Sequence, residues 1–247
     1  MRVCLAGSYA ITPSNRKIVD ECDYILESFY YVKDWQVNHI KDKKLFLLDS
    51  GAFTFMSNSN KAVDWNDYLN RYIAFIKKYD VDYFFELDID VVVGYEEVKR
   101  LRYKLEKATG KQCIPVWHKS RGIEEFKKLC EEYKYIAIGG IVTREIKPSE
   151  YDKMFQLVKY AKSKGVKVHG LGFTNLKLLE RSGFYSVDST SWKSGNRFGT
   201  LYLFKNGKLE QIKKPDNKRM VTGDQYSYVE KHSFREWVKY QKYMEKF

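Results

Sequence analysis

The chain has 247 residues, with 44 Lys and Arg against 32 Asp and Glu, for a formal net charge of +12. That length suits one α/β barrel or two small domains, and with four Pro and 15 Gly no stretch reads as a linker, a low-complexity tract or a fixed-period repeat. No apolar run is long enough for a signal h-region or a spanning helix, so the expected location is the cytoplasm, the host's if a phage encodes the chain.

In chain order, short apolar runs recur, each followed by a polar turn and a segment of helical period. Val3 to Ala6 opens the series. Leu45 to Leu48 follows and runs into LLDSGAFT, where Gly51 supplies a bend and Asp49 and Ser50 are residue types that also cap turns. Tyr83 to Leu87 leads to Asp88 and Asp90, Cys113 to Trp117 to His118, and Tyr135 to Ile138 to Gly139-Gly140. Val166 to Leu171 carries Gly170 and precedes Gly172, Phe184 to Val187 leads to Asp188, and Thr200 to Phe204 completes eight expected strands. Between them, Trp65, Tyr68, Tyr72 and Ile76 mark one helix face, Val98, Leu101 and Leu105 a second, and Met154, Leu157, Val158 and Ala161 a third. Gly110 and Gly165 fall where helix C-caps are expected. Strands alternating with helices predict parallel pairing with right-handed crossovers, and eight of them predict a closed (β/α)8 barrel of the TIM type. A doubly wound sheet is the alternative, but no G-x-G-x-x-G follows the first strand. The barrel is expected over residues 1–210, with residues 211–247 forming a basic segment and a closing helix packed through Trp237.

In such a barrel the strand ends converge on one mouth, which gathers Asp49, Asp88, His118, the glycine pairs and Asp188. Two facing carboxylates can divide a glycosidic displacement, one attacking the anomeric carbon and the other handling protons, and Asp49 and Asp188 are the best-placed pair. Each acid alone reads equally as a helix cap; several at successive strand ends favour a site. Gly139-Gly140 and Gly170-Leu171-Gly172 leave backbone N–H groups uncovered for a flat ring or an oxyanion, although tight turns use the same residues. His118 is a minor candidate, since a satisfied core histidine is the commoner outcome. Cys4, Cys22, Cys113 and Cys130 are scattered without a C-x-x-C and read as reduced, buried thiols. The positive charge, with 20 Tyr and 15 Phe, suits a polyanion bound through phosphates and stacked bases; a Lys-rich proteome accounts for it equally well.

Four segments, LLDSGAFTFMS, YIAIGGIV, VHGLGFTN and SVDSTSWKSGNRFGTLYLF, together resemble the tRNA-guanine transglycosylase family in order and spacing across residues 46–204. The resemblance implies that Asp188 is the nucleophile, forming a glycosyl-enzyme as guanine leaves, and that Asp49 is the acid/base. It implies that Asp88, in FFELDID, and Gly140 read the base. The Glu of the family's G-G-L-A-V-G-E segment has no in-register counterpart in GGIVTRE, and the neighbourhood of His118 replaces a family glutamine. The family's cysteine-rich zinc subdomain is absent, since no Cys follows Cys130, so neither a metal nor a cofactor is expected. That absence turns the resemblance toward the short branch that inserts 7-deazaguanine bases into DNA. The expected partners are then DNA, with tRNA as the alternative, and a free base such as preQ0. Lys193, Arg197, Lys213, Lys214, Lys218 and Arg219 are the expected phosphate-binding residues, the last four together with part of the last helix, and the loop at Arg144 is in reserve. A nucleotide N-glycosidase and an inactive nucleic-acid-binding barrel are the rival readings.

Overall fold

The computed structural model describes residues 1–52, 54–55, 63–195, 200–213 and 224–247, with residues 213, 224 and 225 given by backbone only. Arg197, Lys214, Lys218, Arg219 and the side chain of Lys213 therefore lie outside the described residues.

Eight parallel strands form one sheet: β1 (Arg2–Ala6), β2 (Tyr24–Ser28), β3 (Leu45–Asp49), β4 (Tyr83–Phe84), β5 (Val116–Trp117), β6 (Tyr135–Ile138), β7 (Lys167–Gly170) and β8 (Ser186–Ser189). Their spatial order is 4-3-2-1-8-7-6-5, so each strand lies beside its sequence neighbour and the first pairs with the last. The remaining edge is joined by a parallel bridge between Phe85 and Ile114. Here Ile114 N–H donates to Phe84 at 2.7 Å and Glu86 N–H to Ile114 at 3.1 Å, which closes the sheet on itself. The expected TIM-type barrel is what forms.

Two expectations within that fold are corrected. Thr200 to Phe204 is not a barrel strand: it belongs to β9 (Thr200–Lys205), which pairs antiparallel with β10 (Lys208–Lys213). Its alternating burial is that of a hairpin with one covered face, and Asn206 and Gly207, at φ 52° and 76°, make the two-residue turn such hairpins favour. The eighth strand is instead Tyr24–Ser28, where Glu27 and Ser28 interrupt the apolar run and hide it from a hydrophobicity reading. Glu27 is nonetheless fully buried, accepts from Ser8 N–H at 2.6 Å, and has its carboxyl pushed by burial up to about 7.

The pleat sorts the core into two sets. Cys4, Ala6, Tyr24, Leu26, Leu45, Leu47, Phe85, Ile114, Val116, Tyr135 and Ala137 fill the barrel, while alternating residues such as Val3, Leu5, Ile25, Leu48, Ile136 and Val187 pack against the surrounding helices. The helices are α1 (Asp34–Ile40), α2 (Trp65–Tyr79), α3 (Asp90–Val93), α4 (Tyr95–Thr109), α5 (Gly122–Glu132), α6 (Tyr151–Ser163), α7 (Leu179–Ser182) and α8 (Asp224–Met244). Asp64 caps α2 by accepting from Asn66 and Asp67 N–H groups, and Gly110 ends α4 at φ 69° as expected. Among the described residues no helix is long and apolar enough to cross a membrane. The four cysteines are buried and unpaired.

α8 closes the molecule. Phe234, Trp237 and Met244 are buried, whereas Tyr226 is 39 % exposed. The fully buried amide of Gln241 donates to Val3 at 2.7 Å and Tyr24 at 2.8 Å and accepts from Asp23 N–H at 2.8 Å, which ties the helix to the start of β1 and β2.

Candidate active site

Because the strands are parallel, their C-terminal ends share one rim, and the pleat directs alternate side chains at that rim inward. In β3 the inward positions are Leu45 and Leu47, and the same parity carries Asp49. One Asp49 oxygen accepts from Gly51 N–H at 2.9 Å. Burial pushes its carboxyl up to about 6; that N–H bond opposes the shift, and the charges of Asp188 and Asp88 add to it. Gly51 sits at φ 75°, and an added Cβ would meet Ser28 Oγ and Tyr30 Cβ at 2.6 Å, so the sequence Asp-Ser-Gly is the local requirement for this turn.

Asp188 stands on β8 with its side chain 15 % exposed. Its Oδ1 accepts from Gly172 N–H at 2.6 Å and lies 3.3 Å from His169 Nε2. The Gly172 N–H, expected to lie open to a ligand, is thus occupied by Asp188. Gly170 is differently employed: the Phe184 ring lies 2.9 Å from where its Cβ would be, so helix-side packing accounts for it.

Asp88 belongs to a charged network rather than an open pocket. Its two oxygens lie 3.0 and 2.8 Å from His118 Nε2, and Arg121 Nη2 reaches one of them at 3.3 Å. His118 Nδ1 is 2.9 Å from Glu145, which also accepts from Ser120 N–H at 2.7 Å. Burial alone would pull the imidazole down, but Asp88 and Glu145 on either side hold it up at about 9, and Glu145 in turn is held below its ordinary value. His118 is therefore central to this side of the mouth. The two glycines after β6 are filled in by the same network: a Cβ on Gly139 would lie 2.7 Å from His118, and one on Gly140 2.7 Å from Glu145.

Asp88, Asp90 and His118 form a group with ligand atoms within 4.8 Å of one another, the spacing of a metal site. Arg121, however, bonds Asp90 at 2.8 Å and Asp88 at 3.3 Å and is only 4 % exposed. Its guanidinium supplies the cation that these carboxylates need, with Glu86 as its further partner at 3.4 Å.

Sequence reasoning missed His169, Glu145, Arg121 and the pair Ser186 and Tyr135 behind His169. The strand-end rule reaches His169, the residue before Gly170. Glu145 returns to the mouth through a turn, with Arg144 at φ 61° and Ile146 N–H donating to Gly140 at 3.1 Å, and no periodicity signals that. Lys193 bonds Gly7 at 3.3 Å and lies 4.8 Å from the Tyr9 ring at the end of β1, while Arg144 is exposed.

No protein-family model and no curated protein matches this chain. Among solved structures it is similar to the carboxyl transferase domain of Rhizobium etli pyruvate carboxylase. With pyruvate bound, the identity is 14 % and the TM-score 0.44 over 76 % of this chain and 40 % of that one. With 3-bromopyruvate the identity is 12 % and the TM-score 0.47 over 99 % and 47 %. The chain spans less than half the length of either, and at these values the likeness carries no argument about its chemistry.

Proposed function

We propose that this protein is a base-exchange transglycosylase, replacing guanine in a polynucleotide, DNA in preference to tRNA, by a free 7-deazaguanine base. The observation that carries the reading is the different company kept by three carboxylates at one barrel mouth. Asp88 is locked against His118 and Arg121. Asp49 is half-buried, with a carboxyl near 6, able to give and take a proton close to neutrality. Asp188 is held on Oδ1 by a backbone N–H and an imidazole, which orients it.

The chemistry follows from those roles. Asp188 Oδ2 attacks C1′ of the target nucleotide as the C1′–N9 bond breaks, and the bonding pair leaves with the purine. Asp49, as the carboxylic acid, protonates the departing base. The incoming base then gives its N9 proton to the Asp49 carboxylate while that nitrogen displaces Asp188 from C1′. Asp88 retains the base-reading role that the family resemblance implies, because carboxylate oxygens engaged by His118 keep lone pairs for a ring N–H and an amino group.

The test is mass spectrometry of nucleosides from DNA incubated with the protein and preQ0. A 7-deazaguanine nucleoside is expected, and Asp188→Asn abolishes it while leaving DNA binding near wild type, since one carboxylate changes little of the phosphate footprint. Abasic sites without base insertion would make the protein a hydrolase, and insertion into tRNA alone would move the substrate. Exchange at the wild-type rate in Asp188→Asn would remove this mechanism.

A further inference from the structure

Behind Asp188 lies a column of polar groups that the exchange chemistry does not itself use. His169 is fully buried, its ring edge-to-face with Phe85 at 5.3 Å. Its Nδ1 lies 2.5 Å from Ser186 Oγ, and that oxygen lies 2.5 Å from the Tyr135 hydroxyl. Ser186 is fully buried and Tyr135 is 7 % exposed, so the column runs from the mouth into the barrel between apolar walls.

With His169 neutral, the direction of every proton in the column follows from its upper end. An ionised carboxylate only accepts, so the hydrogen between Asp188 and His169 sits on Nε2. A neutral ring protonated at Nε2 presents Nδ1 as an acceptor, which makes the Ser186 hydroxyl the donor there. Ser186 then accepts from the Tyr135 hydroxyl. Three bonds thus point the same way, toward the carboxylate.

We infer that Tyr135, Ser186 and His169 form a proton-ordered column in which His169 is the positioning residue that aims Asp188. This rests on the assignment of Asp188 as nucleophile. With Oδ1 taken by His169 and Gly172, the attacking oxygen is Oδ2. The column also explains why a histidine stands here and not a lysine or arginine: a neutral donor fixes geometry without withdrawing the charge that attacks. Arg121 does the opposite at Asp88.

The experiment combines nitrogen NMR of histidine-labelled protein with base-exchange kinetics. The chain has four histidines, so single substitutions assign the signals. In the wild type, His169 is expected to show a protonated Nε2 and an unprotonated Nδ1; Ser186→Ala, a smaller perturbation of the fold, loses that single tautomer. His169→Leu is expected to lower kcat about 100-fold with an unchanged KM for the free base, the size of effect a misplaced reacting group produces. His169→Gln, which restores an N–H donor, recovers part of the loss. An Nδ1-protonated ring, or full kcat in either His169→Leu or Ser186→Ala, overturns the inference. A wild type with the expected tautomer but no exchange on any polynucleotide sinks the guanine-exchange reading instead, with the proton order itself upheld.

Discussion

Asp49 and Asp88 stand at the ends of neighbouring strands of one barrel, yet their surroundings differ. Asp49 has a backbone N–H and little water, which leaves its carboxyl near 6, whereas Asp88 faces an imidazole held at about 9 and a guanidinium. The pH dependence of the first half-reaction follows with a definite sign. In the proposed mechanism Asp49 is protonated to serve the departing base, so single-turnover glycosyl-enzyme formation should be level just below about pH 6 and fall about tenfold per unit above it. Asp49→Asn should be slow throughout and lack this limb. A profile flat from about pH 5 to 8 in the wild type would take Asp49 out of the acid role. The strand-end rule made Asp49, Asp88, His118 and Asp188 legible in the sequence, because a parallel barrel converts position in the chain into position in space. It could not disclose that His118 is a bridge between two acids, since Glu145 reaches it only through a turn.

Helix α2 shows what amphipathic spacing reveals and what it conceals. The interval from Tyr68 to Tyr72 to Ile76 marks a buried face, and all three are buried. It does not reveal that the tyrosine hydroxyls are structural ties to the strands beneath. Tyr72 donates to the carbonyls of Leu48 at 2.9 Å and Phe85 at 3.1 Å, joining β3 to the end of β4, while Tyr68 donates to Ser50 at 2.5 Å, one residue from Asp49. Each Tyr→Phe change should cost about 1 kcal/mol in urea titration, the usual worth of a buried hydrogen bond. Only Tyr68→Phe should also lower the exchange rate, because it frees the carbonyl beside Asp49, the proposed acid/base. Equal activity in the two variants would show that α2 supports the barrel without holding the site. The strand count carries a similar lesson. Eight strands are expected and eight form, but Thr200–Phe204 stood in for Tyr24–Ser28 because a hairpin strand with one apolar face outscores a barrel strand containing Glu27. The Asn206-Gly207 turn is the signal that separates them.

At the scale of the molecule the excess of positive charge acquires geography. On α8, Lys231, Arg235, Lys239 and Lys242, and just beyond it Lys246, are all exposed, as a phosphate track requires. Two of them are already engaged: Arg235 bonds both oxygens of Glu21 at 3.0 Å or less, and Lys239 pairs with Glu236 at 2.5 Å. A cation paired to a neighbouring carboxylate has less to gain from a phosphate, because binding then breaks one ion pair to form another. The burden of the proposed DNA track therefore shifts from α8 to Lys213, at the end of β10, and Lys214, Lys218 and Arg219, which follow it in the sequence. Neutralising those four should weaken binding to every DNA sequence alike and flatten the plot of log affinity against log salt by roughly 0.9 for each phosphate that is no longer neutralised. Neutralising Lys231, Lys242 and Lys246 should leave that slope close to wild type. The two sets differ by one charge, so a change confined to the first set cannot come from net charge alone. If the slope survives loss of the first set, the polyanion runs elsewhere, and Lys193, Arg197 and Arg144 are the next residues to neutralise.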